Sequence, residues 1–212
     1  MSTIRSFEFR RHSIKDGPGN RTLGPRGFAL ARAVGKRQLR GRGFTDCFAT
    51  NFWRTVQTLV AFDEGAGGVG GITWMPDVPP IYAGHDRPDV RAMFRECRAA
   101  EIDGRKMLDT ALALHPDLCH EIGIAMKSAF LDWNDALPDD ANVLIVGHSP
   151  SLEFLARAFS IPIGSLRECQ GFRLHVEDMG PRHWSATSDH ISSDLDPSAI
   201  RAELKLDEEA WT

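Results

Sequence analysis

Asn142-Val143-Leu144-Ile145-Val146-Gly147-His148-Ser149-Pro150-Ser151 decides the fold class. The unbroken run from Val143 to Val146, mostly β-branched, has no polar face to turn to water. It therefore suits the centre of a sheet covered on both sides. The run ends at His148, and Leu152, Leu155, Ala156 and Phe159 follow at the three-and-four spacing of one helix face. Ser149 or Ser151 is available as an N-cap, so the helix begins almost at the histidine.

A second strand with the same ending lies near the amino terminus. Over residues 4–11, Phe7 and Phe9 alternate with polar neighbours, and the strand stops at Arg11-His12-Ser13. Beyond an open loop at Gly17-Pro18-Gly19, the pattern Phe28, Ala31, Gly35, Leu39 predicts a helix. Another short helix is expected between Trp53 and Phe62, with Arg54 in its first turn. Residues 64–84 hold a cluster of glycines together with prolines, which predicts a loop. Two longer helices are expected next. One runs through Val90, Met93, Phe94 and Cys97 and past Met107; the other runs through Ile122, Ala125, Met126, Ala129 and Trp133. Phe172, Leu174 and Val176 alternate as a strand, and residues 183–187 can pair with it as a hairpin. The acidic stretch 192–212 is expected to be peripheral.

Composition narrows the class. A chain of 212 residues suffices for one well-buried core, so a single domain over residues 1–212 is expected. Asp and Glu total 29 against 25 Lys and Arg, and a net charge of −4 argues against nucleic acid as a partner. No stretch has the length of a membrane span or the apolar core of a signal peptide, so no membrane partner is expected. Cys47, Cys97, Cys119 and Cys169 lack the spacings of a disulfide framework or a zinc site and read as reduced thiols of the cytoplasm. Oligomeric state stays open.

The chemistry gathers at the strand ends. Ligands of open α/β sheets bind beyond the carboxyl ends of the strands, and both His12 and His148 sit at such ends. Between them in sequence lies Thr50-Asn51-Phe52-Trp53-Arg54-Thr55-Val56-Gln57-Thr58. Two histidines and two arginines suit a phosphate monoester, a dianion whose transfer spreads charge over three equatorial oxygens. Guanidiniums grip such oxygens with a fixed fork that lysine does not have.

In this order the motifs resemble the histidine phosphatase superfamily, which includes the cofactor-dependent phosphoglycerate mutases. Its Arg-His pair is matched by Arg11-His12, its Arg-x-x-x-Thr helix start by Arg54 to Thr58, and its second histidine by His148. Arg21-Thr22-Leu23-Gly24-Pro25-Arg26-Gly27 resembles its entry to the first helix. Val146 to Glu153 is most similar to the small phosphohistidine phosphatases of the SixA type, and Ser13 stands where classical members carry glycine. The resemblance implies a three-layer α/β sandwich with a mostly parallel central sheet and helices on both faces. The helices between Val90 and Leu137 would form a cap or side layer. It further implies a phosphatase using no metal or cofactor, in which His12 takes the phosphoryl group, Arg11 and Arg54 bind it, and His148 stabilises the transition state. Ser13 and Ser149 are expected to help bind the substrate, a protein phosphohistidine or a small phosphomonoester.

A leaving alkoxide needs a proton. Asp77 is the candidate general acid, with Glu64, Asp16 and Glu153 as alternatives. Arg10, beside the strand end, is expected to face solvent or to pair with an acidic neighbour. His85, His115, His120, His175, His183 and His190 are expected in surface or core roles, since His115 and His120, five apart, do not share a helix face as a metal pair would. Gly147-His148-Ser149-Pro150-Ser151 is a poor nucleophile elbow, because Pro150 has no N–H for an oxyanion hole. A second class of function stays open: a phosphate-binding or regulatory module of the same fold with little turnover.

Overall fold

The computed structural model describes residues 3–17, 21–69, 71–72, 82–102, 106–178 and 184–191. The run from Val143 to Val146 is a strand buried on both faces, and a six-stranded sheet forms around it. The strands are β1 (Thr3–Arg11), β2 (Asp46–Ala49), β3 (Gly71–Ile72), β4 (Asn142–Gly147), β5 (Gly171–Asp178) and β6 (Trp184–Ile191), in the order β3-β2-β4-β1-β5-β6. Pairings β3-β2, β2-β4 and β4-β1 are parallel; β1-β5 and β5-β6 are antiparallel. The sheet is thus mixed, with its parallel half around β4 and the expected hairpin closing one edge.

Helices cover both faces. Val143 and Ile145 of β4 and Phe7 and Phe9 of β1 join one core with the helices α3 (Pro88–Ile102), α4 (Met107–Leu114), α5 (Pro116–Asp135) and α6 (Ser151–Ala158). Leu144 and Val146, pointing the other way, join a second core with α1 (Pro25–Val34), its widened last turn Gly35–Leu39, and α2 (Trp53–Ala66). Of the two expected placements for the middle helices, the side layer is the one observed. The first of them is split: α3 ends at Ile102, and α4 begins only at Met107. Helix α2 runs into the expected loop as far as Ala66 and stops at Gly67, whose φ of +76° is the left-handed geometry glycine tolerates. Residues 73–81 and 192–212 lie outside the described residues.

Close backbone contact fixes α1 against α2. A Cβ on Gly65 would lie 2.0 Å from the carbonyl oxygen of Arg32, and one on Gly35 would lie 2.2 Å from that of Phe62. Among the described residues, no helix is long and apolar enough to cross a membrane.

The polar face of β1 is covered as well as the apolar one. Glu8 and Arg10 are as buried as Phe7 and Phe9. Arg10 Nε donates to Glu8 Oε1 at 2.7 Å, Arg173 Nε donates to Glu8 Oε2 at 2.8 Å, and Arg10 Nη1 donates to Gln38 Oε1 and the Cys169 carbonyl. Arg10 therefore pairs with an acidic neighbour and does not face solvent. The turn after α1 and the segment before β5 close over it, bringing partners remote in sequence. Glu8→Ala leaves a buried guanidinium without its carboxylate and should cost about 3–5 kcal/mol of stability. The double variant Glu8→Leu/Arg10→Met should cost less, and urea-unfolding midpoints of the two variants check both outcomes.

Candidate active site

Strand order brings the two histidines together. Arg11 and Gly147 are register partners in adjacent parallel strands, and the His12 N–H donates to the Gly147 carbonyl at 3.0 Å. On the other side of β4, the Thr50 N–H donates to the Val146 carbonyl at 3.2 Å. The carboxyl ends of β2, β4 and β1 thereby place Thr50, His148 and His12 side by side, and the two imidazole centroids lie 5.2 Å apart.

His12 is 5% exposed, and its Nδ1 lies 2.7 Å from the Ser13 carbonyl oxygen. A carbonyl only accepts, so Nδ1 carries the proton and Nε2 keeps its lone pair. Burial, aided by the charges of Arg11, Arg54 and Lys15, pushes the His12 pKa down to about 3, against the opposing pull of the Ser13 carbonyl. The ring is neutral at physiological pH, with one nitrogen free to attack.

The neighbouring backbone is anchored to α2. The Ser13 N–H donates to Thr58 Oγ1 at 2.9 Å, and the Thr58 hydroxyl donates to the Arg54 carbonyl at 2.7 Å. Thr58 thus links the first motif to the helix turn that carries Arg54. The Ser13 hydroxyl, wholly buried, donates to the Gly27 carbonyl at 2.7 Å. Ser149 Oγ donates to Glu153 Oε1 at 2.6 Å. Both serines expected to bind substrate direct their protons to protein partners here, and Ser13 has the geometry of an anchor between β1 and α1.

His148 completes a hydroxyl chain. Its Nε2 lies 2.9 Å from Thr50 Oγ1, which lies 2.8 Å from Thr55 Oγ1. The Thr55 hydroxyl faces the carbonyls of Thr50 and Phe52, at 2.8 and 2.7 Å. Because those oxygens only accept, the assignment that makes each link a hydrogen bond has His148 Nε2–H donating to Thr50 and Thr50 donating to Thr55. Burial first, then the proximity of His12, Arg54 and Arg11, holds His148 well below an ordinary histidine pKa. A bound dianion would reverse that pressure and favour the imidazolium.

Three buried polar atoms of this cluster have no hydrogen-bond partner among the described residues: Arg11 Nε, Arg54 Nε and His148 Nδ1. The two guanidinium Nε–H groups are buried donors without acceptors, which are costly in a folded protein and mark a place for an anion; His148 Nδ1, bare in the neutral ring, becomes a donor only when that ring is protonated. The remainder of each guanidinium is held. Arg11 donates through Nη1 to the Leu166 carbonyl and meets Glu168 at 3.2 Å, while the Arg54 guanidinium carbon lies 4.8 Å over the Phe52 ring. The structure thus brings Arg11, His12, Arg54 and His148 together.

The expected acids are not gathered in the same way. Asp77 lies outside the described residues. Glu64 pairs with Arg32 at 2.6 Å on the surface, and Asp16 is exposed. Glu153 is wholly buried; Oε1 accepts from Ser149 and from the Leu166 N–H at 2.9 Å, and burial raises its pKa. It braces the segment that holds Arg11.

His85, expected in a surface or core role, is half-buried and packs near His148. Its Nε2 lies 2.8 Å from Ser151 Oγ at the start of α6, and its ring stacks on Phe94 at 5.2 Å. Nothing local announces this, because residue 85 reaches α6 only through packing of the α3 layer. Thr50 and Phe52 are also site residues, and the chain's strand-to-helix order around Arg54 was the signal available for them.

A mixed sheet whose neighbouring parallel strands end at two histidines, with Arg11 and Arg54 beside them, defines an α/β protein. Its fold is that of the phosphoglycerate mutases. A phosphoglycerate mutase from Bacillus anthracis str. Sterne superposes with a TM-score of 0.57 at 14% identity, covering 97% of this chain and 98% of that one. A mycobacterial glucosyl-3-phosphoglycerate phosphatase in complex with VO3 gives 0.52 at 16% identity, covering 88% and 98%. The structure titled mycobacterial hydrolase 1 gives 0.51 at 14%, covering 89% and 97%. No family model matches the chain, and no curated protein matches it in sequence. The resemblance drawn from the motifs thus holds at the level of fold.

Titration of the pocket has a measurable consequence. The unfolded chain binds a proton on His12 below about pH 6.5, whereas the folded chain stays neutral until about pH 3. Stability is therefore lost as pH falls through that window. Between about pH 7 and pH 5 the His12 contribution to the loss is about 2 kcal/mol. Urea unfolding followed across this range should show a shallower acid loss in His12→Gln, which has nothing to titrate there.

Proposed function

We propose that the protein is a phosphatase that works through a covalent phosphohistidine on His12. The observation that carries this is the fixed tautomer of His12: Nδ1–H held by the Ser13 carbonyl, Nε2 left as the nucleophile, beside two guanidiniums with unpartnered Nε–H groups. The lone pair of Nε2 attacks phosphorus, and the bond from phosphorus to the leaving group breaks with its electron pair going to that group. The Ser13 carbonyl takes up charge developing at Nδ1–H, while Arg11, Arg54 and the protonated His148 stabilise the equatorial oxygens. Water then attacks phosphorus, the N–P bond breaks with its pair returning to Nε2, and inorganic phosphate leaves. A metal or cofactor has no assigned part in these steps.

The substrate is proposed as a protein phosphohistidine, with a small phosphomonoester second. What supports the first is the likeness of Val146 to Glu153 to the SixA-type motif, together with the leaving nitrogen's smaller need for an acid. Asp77 keeps the role of proton donor for an oxygen leaving group. A single domain in the cytoplasm is the proposed setting, in keeping with four buried free thiols. The competing function, a phosphate-binding module with little turnover, draws on two contacts: Arg11 is already engaged by Leu166 and Glu168.

Brief incubation with a labelled phosphoramidate should leave acid-labile, base-stable phosphate on the parent protein and none on His12→Ala. Equal labelling of the two, or none on the parent, removes the covalent mechanism. Arg54→Ala should slow turnover by roughly 10²–10³-fold, in line with the loss of a preorganised charge partner. Arg54→Lys should restore little of it, since the ammonium lacks the fork.

A further inference from the structure

A cavity of about 350 Å³ opens among α4, α5 and α6, and none of the strand-end residues lines it. Its volume is at the lower end of the roughly 300–1,000 Å³ usual for small-molecule sites, so a small ligand fits it. Leu112 of α4, Cys119 and Gly123 of α5 and Phe154 of α6 supply the apolar wall. Arg157 and His120, both exposed, supply the polar part. Gly123 marks where the two helices meet: a Cβ there would lie 2.9 Å from the Phe154 carbonyl oxygen and 3.4 Å from the Ala158 Cβ.

The charge on this wall has one sign. Among the described residues no carboxylate lines the cavity, although acidic residues outnumber basic ones in the chain. Nor does a described carboxylate hold the Arg157 guanidinium or the His120 ring. An arginine in the last turn of a helix is ordinary, since it complements the helix dipole; its place on the wall of an apolar cavity is not. Burial, with Cys97 nearby, pushes the Cys119 thiol up to about 11, and the Arg157 charge pulls against that rise, which sets the guanidinium close to the apolar wall. The Ala158 carbonyl, which would repel an anion, is capped by Lys127 Nζ at 3.2 Å.

From this arrangement we infer that the cavity binds a small organic carboxylate with a compact apolar body, its charge meeting Arg157 and His120 and its body lying against Leu112, Cys119 and Phe154. A guanidinium fork matches the two oxygens of a carboxylate, and the buried side chains offer the rest of the ligand an escape from water. A phosphate dianion is better served at the strand ends, where buried guanidinium donors lack acceptors. Here the basic groups stand in water, and a monoanion suffices. This site is independent of the phosphatase reading.

Titration of the full chain with phenylacetate, followed by amide NMR shifts, locates and weighs the site. Saturable shifts are expected at Cys119, Gly123 and Ala158, with a Kd of about 1 mM or tighter for a ligand of this size. Phenylacetamide, which keeps the shape without the charge, should bind at least about fivefold more weakly, the upper range of an exposed charge pair. Acetate, which keeps the charge without the ring, should bind more than about tenfold more weakly. Arg157→Gln should bring phenylacetate within about twofold of the amide, and His120→Gln should narrow the gap in part. No saturable shift at these amides up to about 10 mM, equal affinity for acid and amide, equal affinity for acetate and phenylacetate, or a preference untouched by Arg157→Gln overturns the site. Shifts confined to His12 and His148 place the ligand at the strand ends and overturn it equally. Labelling of His12 is read separately, so loss of the covalent mechanism leaves this site standing.

Discussion

Parallel pairing of β1 with β4 is the constraint on which the site depends. Parallel neighbours end at the same edge of a sheet, so two residues that each follow a strand become neighbours in space, although His12 and His148 are far apart in sequence. An antiparallel pairing would send them to opposite edges. The pairing in turn requires that β4 be covered on both faces, which its apolar run permits and the two helix layers accomplish.

Electrostatics and burial then act on the paired histidines in one direction. Each ring is desolvated and each feels Arg11 and Arg54, so both favour the neutral form. Their hydrogen bonds differ, and that difference separates their roles. His12 gives its Nδ1 proton to a backbone carbonyl and presents Nε2, whereas His148 joins a threonine chain through Nε2 and leaves Nδ1 unpartnered. In the proposed mechanism the first ring is the nucleophile, and the second would gain its charge when an anion arrives.

Support for the site comes from residues whose contribution is geometric. Thr58 couples Ser13 to Arg54, Glu153 couples Ser149 to the segment that grips Arg11, and the Glu8–Arg10–Arg173 group stiffens β1 one step before the pocket. Cys169 belongs to the same bracing: its N–H donates to the Arg11 carbonyl and its own carbonyl accepts from Arg10. The candidate positions at the strand ends are thus held from behind by polar contacts within the sheet's cover.

The sequence alone determined the α/β class, the two histidine-bearing strands and the four charged or ring-nitrogen groups of the pocket. Each of these is written locally: an apolar run, a helical spacing, an Arg-His pair, an arginine at a helix start. Tertiary structure alone decided the antiparallel pairing of β5 with β1, the burial of Arg10, the bracing role of Ser13 and the approach of His85 to α6. Those outcomes depend on partners remote in sequence, 14 residues away for Ser13 with Gly27 and 159 for Arg10 with Cys169. A side chain's local pattern shows what it is able to bond; only the packing of remote segments selects which bond it makes.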